Sequence, residues 1–71
     1  MIPDTRQTPT PRETQILQLI AGGSTNKQIS AELGMSEATV KNHMLNILER
    51  LGLLNRTHAV VTAIKKGWIE V

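Results

Sequence analysis

Residues typical of helix starts alternate with glycines typical of helix ends along residues 10–67, and this order strongly limits the folds open to the chain. Two starts have the capping-box pattern, residues 10–13 (TPRE) and 25–28 (TNKQ), and further starts stand at Ser36 and near Asn55. Glycines follow at 22–23, 34, 52 and 67, where helices would end. The chain is therefore predicted to be all-α, a compact four-helix domain with helices at about 11–21, 25–33, 37–51 and 56–66.

Length and composition narrow the class of protein. With 71 residues the chain has room for one small domain. The absence of cysteine excludes a disulfide framework and a thiolate zinc site, and two histidines alone do not make a metal centre. We expect no metal and no cofactor. The longest apolar run, residues 51–54 (LGLL), is too short to span a membrane, and the net charge of +2 permits a nucleic-acid partner without requiring one.

The chain divides into a leader and a domain. Residues 1–9 hold two prolines and few apolar residues, so we expect a flexible leader or a linker stub there, followed by one domain over 10–71. The apolar residues of that domain recur at helical spacing and predict its core. The expected core is Ile16, Leu17, Ile20, Ile29, Leu33, Val40, Met44, Ile47, Leu48, Leu51, Val60, Ala63 and Ile64, closed by Leu53, Trp68 and Ile69.

The second and third helices are separated by a tight turn, residues 33–36 (LGMS). Two short helices joined by a turn with glycine are typical of a helix-turn-helix. Gly34 tolerates the left-handed backbone of such a turn, the small Ser30 allows the helices to cross closely, and Val40 faces back. A plain helical bundle can show the same features. The side chains on the outer face of the third helix must therefore distinguish a DNA-binding domain from such a bundle.

That outer face carries side chains suited to a DNA duplex. Lys41 can donate to guanine O6 and N7, Asn42 can pair with adenine, and Leu45 can touch a thymine methyl group. Polar side chains suited to phosphate oxygens flank them or lie on the second helix. These predicted phosphate contacts are Lys27, Thr39, His43, Asn46 and Arg50, with His43 equally interpretable as a residue at the edge of the core.

Glu13 falls on the apolar face of the first helix, where a carboxylate needs partners. The capping box supplies the backbone N–H of Thr10, and we predict a structural ion pair with Arg56. No serine, cysteine or carboxylate is spaced to form a catalytic triad or an acid–base pair with a histidine. We therefore predict no catalytic residues and no enzyme.

Several segments together resemble the LuxR-type helix-turn-helix domain, from about residue 9 to residue 70. They are residues 10–13 (TPRE), 20–23 (IAGG), 25–29 (TNKQI), 36–43 (SEATVKNH), 51–53 (LGL), 55–57 (NRT) and 59–60 (AV). This domain is the output domain of bacterial response regulators of the NarL/FixJ group, of quorum-sensing regulators and of some stand-alone spore regulators. The resemblance implies transcription regulation by duplex-DNA binding, with the third helix in the major groove.

The resemblance also implies site residues and partners. Base contacts fall on Lys41, Asn42 and Leu45, and Ser36 joins the phosphate contacts. Two copies would meet through the fourth helix, which we expect to use Thr57, Val61 and Lys65, and would bind an inverted-repeat operator. The third helix has no net charge, which predicts weak binding by one copy and reliance on the dimer. RNA polymerase is a further implied partner, and the bacterial cytoplasm and nucleoid the implied location.

Four possibilities stay open. The chain can be the output domain of a two-component response regulator or a stand-alone small regulator of the same family. A helical protein-interaction or dimerisation module without DNA readout would use Leu45 and Val61 as an apolar patch. A sigma-factor region with the same motif would need a polymerase-binding surface, for which the sequence shows no signal.

Overall fold

The computed structural model describes residues 8–70, which form four α-helices and no strand. The helices are α1 (Pro11–Ala21), α2 (Asn26–Leu33), α3 (Glu37–Leu51) and α4 (Arg56–Lys65). The predicted all-α fold is confirmed, and its helix bounds of 11–21, 25–33, 37–51 and 56–66 agree to one residue. Most of the predicted leader, residues 1–7, and Val71 at the end of the predicted domain lie outside the described residues.

Each helix begins behind a side-chain cap that binds a backbone N–H left unpaired in the first turn. The caps are Thr10, Thr25, Ser36 and Asn55. Both predicted capping boxes are closed in each direction. Thr10 Oγ1 accepts from the Glu13 N–H at 3.2 Å, while the Glu13 carboxylate accepts from the Thr10 N–H at 2.8 Å. The Thr25 and Gln28 pair repeats this arrangement at 3.1 and 2.8 Å, so the sequence fixes these two starts locally.

The turn between α2 and α3 has the expected geometry. Gly34 has φ 67° and ψ 37°, the left-handed conformation that glycine adopts without steric cost. Its N–H donates to the carbonyl of Ser30, and the Ser30 hydroxyl donates to the carbonyl of Lys27 at 2.7 Å. The helices then pack in two main pairs, α2 on α3 and α1 on α4. The α2–α3 pair is a helix-turn-helix.

One apolar core lies between the helices. Its buried residues are Ile16, Leu17, Ile20, Ile29, Val40, Met44, Ile47, Ala59, Ala63 and Ile69. Leu33, Leu48, Leu51, Leu53, Val60 and Trp68 pack partly buried against them. Most of the predicted core is therefore confirmed, with one error: Ile64 is 40% exposed, while Ala59 is fully buried. The buried stripe of α4 runs through the alanines, so α4 is rotated about its axis relative to the prediction.

The chain after α4 folds back onto α1. Ile69 is 4% exposed and completes the core, as predicted. The side-chain amide of Gln18 donates to the carbonyl of Glu70 and accepts from its N–H at 3.2 Å. The ammonium of Lys66 lies over the Trp68 ring, 5.6 Å from its centroid. Residues 66–70 are thus part of the packed domain.

Between residues 8 and 70, no helix has the length and apolar character needed to cross a membrane. The same residues hold no group of three or more histidine or carboxylate side chains placed to bind a metal ion.

Candidate nucleic-acid interface

The helix α3 has two distinct faces. Val40 and Ile47 are fully buried, and Met44 is 8% exposed, so this face anchors the helix in the core. Lys41 and Asn42 point outward. The buried residues and the outward-facing residues alternate along α3 with the 3.6-residue period of a helix. The predicted reading residues therefore lie on the outer side of a helix whose inner side is fixed by packing.

The outer face is chemically varied and accessible. Leu45, next to Lys41 on this face, is 52% exposed. Neither Lys41 nor Asn42 uses its side chain in a hydrogen bond with another described residue. An ammonium donor, an amide with donor and acceptor, and an apolar group are thus presented together. The major groove of a DNA duplex admits one helix and offers complementary groups to all three.

The N-terminus of α3 is also exposed. Ser36 Oγ accepts from the Thr39 N–H at 3.1 Å and lies 2.9 Å from Thr39 Oγ1. The two hydroxyls therefore stand side by side at the positive end of the helix dipole, where they can approach an anion. Lys27 is exposed in the first turn of α2 and adds a cation. Ser36, Thr39 and Lys27 all lie where a phosphate can reach them.

Two further predicted phosphate contacts differ in exposure. Asn46 is exposed on α3, whereas His43 is half-buried. The side chain of His43 thus lies at the boundary between the core-facing and outer sides, which agrees with either of its two sequence interpretations.

The predicted ion pair of Glu13 is wrong in its partner. The carboxylate of Glu13 binds the guanidinium of Arg50, in the last turn of α3, and not Arg56. Arg50 also donates to the carbonyl of Thr8 at 3.0 Å. The reason is geometric, because the C-terminal end of α3 passes the first turn of α1. Arg50, predicted to contact phosphate, therefore has its guanidinium engaged inside the domain.

Arg56 has a different role, which the sequence pattern did not predict. Its Nη1 donates to Asn26 Oδ1 at 2.8 Å, and its Nη2 donates to the carbonyl of Ser24 at 2.7 Å. One signal was available: Arg56 is the first residue of α4, where a cation opposes the helix dipole. A cation at that position needs acceptors elsewhere, although the sequence does not say which.

The helix α4 leaves an apolar stripe uncovered. The predicted dimer residues Thr57, Val61 and Lys65 are all exposed. Ile64, adjacent to Val61, is also accessible because of the rotation of α4, and the two side chains are 40% and 42% exposed. We call residues 57, 61, 64 and 65 the α4 stripe. Its apolar centre with polar ends is a composition typical of a protein contact.

A family model described as "Bacterial regulatory proteins, luxR family" matches residues 8–63. Among curated relatives, the transcriptional regulatory protein DegU of Brevibacillus brevis is 48% identical over 62 residues, 87% of this chain and 26% of that protein. The first three relatives are all longer, and the chain spans 26%, 30% and 31% of their lengths.

Solved structures show the same similarity. The structure of the transcription factor GerE superposes with a TM-score of 0.83 at 35% identity, covering 87% of this chain and 92% of that chain. The response regulator ChrA of a heme-sensing two-component system superposes with a TM-score of 0.82 at 41% identity, covering 96% of this chain and 33% of that chain. The fold resemblance therefore extends over nearly all described residues.

Proposed function

Because the chain belongs to the LuxR family of bacterial regulatory proteins and has its helix-turn-helix DNA-binding domain, we propose that it reads a specific operator as a homodimer with α3 in the major groove. The single observation that carries the proposal is the shared exposure of Lys41, Asn42 and Leu45 opposite the buried side of α3. A helix anchored on one side can present fixed side chains to base edges on the other. Sequence readout depends on such fixed geometry.

Each of the three side chains has a matching base. Lys41 donates to guanine O6 and N7, Asn42 makes two hydrogen bonds with adenine N6 and N7, and Leu45 packs on a thymine methyl group. Because these contacts differ in chemistry, they discriminate between base pairs. One good pairing contributes about 1–3 kcal/mol of discrimination against the wrong base.

The phosphate contacts fix the register of α3. Lys27, Ser36 and Thr39 form this set near the N-termini of α2 and α3, and His43 and Asn46 extend it along α3. We leave Arg50 out, because its guanidinium binds Glu13 and the carbonyl of Thr8. These contacts release counterions from DNA and make binding salt-dependent without specifying sequence.

Two copies meet through the α4 stripe. Val61 and Ile64 supply its apolar centre, and Thr57 and Lys65 its polar ends. The two α3 helices then face half-sites about one helical turn, roughly 34 Å, apart. Joining two weak half-site contacts raises affinity without new chemistry, which offsets the zero net charge of α3.

The chain acts as the output domain of a two-component response regulator. The similarity to the response regulator ChrA over a third of the length of that chain supports this origin. The similarity to GerE over 92% of its chain supports the alternative, a stand-alone small regulator with the same DNA-binding mode. In either form the regulator acts on the bacterial nucleoid in the cytoplasm and communicates with RNA polymerase.

A selection from random duplexes tests the proposal. The purified 71-residue chain is incubated with the pool at two salt concentrations, and bound DNA is sequenced. We expect an enriched inverted repeat and an affinity that falls steeply with salt. A chain that enriches no motif, and whose association with other macromolecules is unaffected by salt, would instead be the interaction module, with Leu45 and Val61 as its exposed apolar groups.

A further inference from the structure

We propose that Arg56 is a positioning residue for DNA binding, because its guanidinium joins the first residue of α4 to the N-terminal end of α2. It sets the orientation of the helix-turn-helix relative to the α4 stripe, and so the spacing of half-sites that a dimer accepts. The inference rests on the proposed function, in which α4 joins the two copies.

The guanidinium of Arg56 donates two hydrogen bonds, which we call the Arg56 fork. Its Nη1 donates to Asn26 Oδ1 at 2.8 Å, and its Nη2 donates to the carbonyl of Ser24 at 2.7 Å. Asn26 is the first residue of α2, and Ser24 lies in the loop before it. The side chain of Arg56 is half-buried, so water competes weakly for these hydrogen bonds. The two bonds therefore hold the first residue of α2 and the loop that leads into it.

Packing alone joins α2 and α4 weakly. The helix α2 packs mainly on α3, and α4 packs mainly on α1. Of the side-chain hydrogen bonds formed among residues 8–70, the one from Arg56 to Asn26 is the link between α2 and α4. Both helices also pack against α3, so Arg56 supplies the direct side-chain hydrogen bond that adds to this shared packing in holding α2 against α4.

The position of this arginine is unfavourable for α4 itself. A cation in the first turn opposes the positive N-terminal end of the helix dipole, and ordering a long side chain costs conformational entropy. Charge-assisted hydrogen bonds to two neutral acceptors offset these costs. A lysine there would place a single ammonium group where two separated acceptors require a planar fork. The arrangement therefore favours arginine specifically.

The Arg56 fork affects DNA binding through the distance between the two α3 helices of a dimer. In a dimer, the distance between the two α3 helices depends on how rigidly each helix-turn-helix is held against α4. The gain from binding two half-sites is lost when their geometry forbids simultaneous contact. A rigid link to α4 makes the dimer selective for one spacing, and a loose link makes it tolerant of several. Loss of the Arg56 fork should thus change spacing preference more than contact with a single half-site.

The test compares wild type, Arg56→Met and Arg56→Lys on two-half-site duplexes taken from the selected operator. The spacing is changed one base pair at a time around one helical turn, and a single half-site duplex is the reference. We expect wild type to prefer its best spacing about tenfold over spacings two base pairs away. Arg56→Met should reduce this preference to about threefold or less and leave the affinity for the single half-site duplex within about twofold of the wild-type value. Arg56→Lys should have an intermediate effect.

Two further measurements separate positioning from stability. Residual dipolar couplings of backbone amides report the angle between α2 and α4 without DNA, and we expect Arg56→Met to change it or broaden its distribution. Asn26→Ala removes one arm of the fork and should reproduce part of both effects, even if Arg56→Met folds poorly. Arg12→Met, an exposed arginine of α1, is the matched control and should change neither.

The outcomes are distinct. Wild-type spacing profiles and an unchanged interhelical angle in both Arg56→Met and Asn26→Ala would overturn the positioning role and leave the proposed function intact. A wild-type chain without any spacing preference would contradict the dimer proposal instead. In that case, an angle between α2 and α4 that is unchanged in the two variants overturns the positioning role. A changed angle supports the part of the proposal in which Arg56 orients α2 relative to α4.

Discussion

The guanidinium of Arg50, in the last turn of α3, binds the carboxylate of Glu13, in the first turn of α1. Glu13 also accepts from the N–H of Thr10 at 2.8 Å, and Arg50 donates to the carbonyl of Thr8 at 3.0 Å. The end of the proposed reading helix is thereby tied to the point where the chain enters α1. Both side chains are mostly shielded from water, 28% and 11% exposed, which makes the loss of either partner costly.

Replacing Arg50 should destabilise the fold. Arg50→Met leaves the shielded carboxylate of Glu13 without its cation, and we expect the free energy of unfolding in urea to fall by about 1–3 kcal/mol. Arg12→Met, in the same turn as Glu13 but exposed, should change it by less than about 0.5 kcal/mol. Equal stabilities of the two variants would show that the ion pair contributes nothing.

Lys41 and Lys27 should differ in the kind of DNA binding that they support. Lys41→Ala removes a base contact, so affinity for the selected operator should approach that for random duplex, a loss of about 1–3 kcal/mol per half-site. Lys27→Ala removes a phosphate contact, so all duplexes should be bound more weakly and the salt slope should fall by about one. Equal losses on operator and random DNA for Lys41→Ala would contradict its base-reading role.

A negative charge introduced into the α4 stripe should disrupt the contact between the two copies. Val61→Asp places a carboxylate at its apolar centre, and affinity for a two-half-site duplex should fall about a hundredfold while single half-site affinity stays unchanged. Gln15→Asp, exposed on α1, is the control and should leave both affinities close to wild type. A Val61→Asp chain that keeps the two-site advantage would place the dimer contact elsewhere.

The C-terminal residues should contribute to stability. Ile69 is 4% exposed, so Ile69→Ala opens a cavity and should lower the free energy of unfolding by about 2–4 kcal/mol. Leu54→Ala, at a side chain 83% exposed, should change it little. Trp68 is the sole aromatic residue of the chain, and its fluorescence follows unfolding directly. Similar midpoints for the two variants would mean that this segment does not support the core.

The helix pattern was predictable from the sequence because its signals are local. A capping box such as Thr10 with Glu13 and a left-handed glycine such as Gly34 act within a few residues. The outward direction of Lys41 and Asn42 was equally accessible, since Val40 and Ile47 fix the phase of α3 through large apolar side chains.

Contacts between distant parts of the chain were not predictable in the same way. The choice between Arg50 and Arg56 as partner of Glu13 depends on helix crossing angles, which no local pattern encodes. The predicted phase of α4 is wrong because alanines form its buried side. Ala59 and Ala63 are small, so helices approach closely there. The larger Ile64 weighs more in a prediction from apolar periodicity, although its side chain lies partly exposed.

Methylation interference on the selected operator tests most directly whether the outer face of α3 reads the major groove. Methyl groups on guanine N7 lie in the major groove, and those on adenine N3 lie in the minor groove. We expect N7-methylguanine within each half-site to block binding of wild type, and Lys41→Ala to relieve the block at one guanine per half-site. Interference confined to minor-groove adenines, or identical patterns for wild type and Lys41→Ala, would contradict major-groove reading by α3.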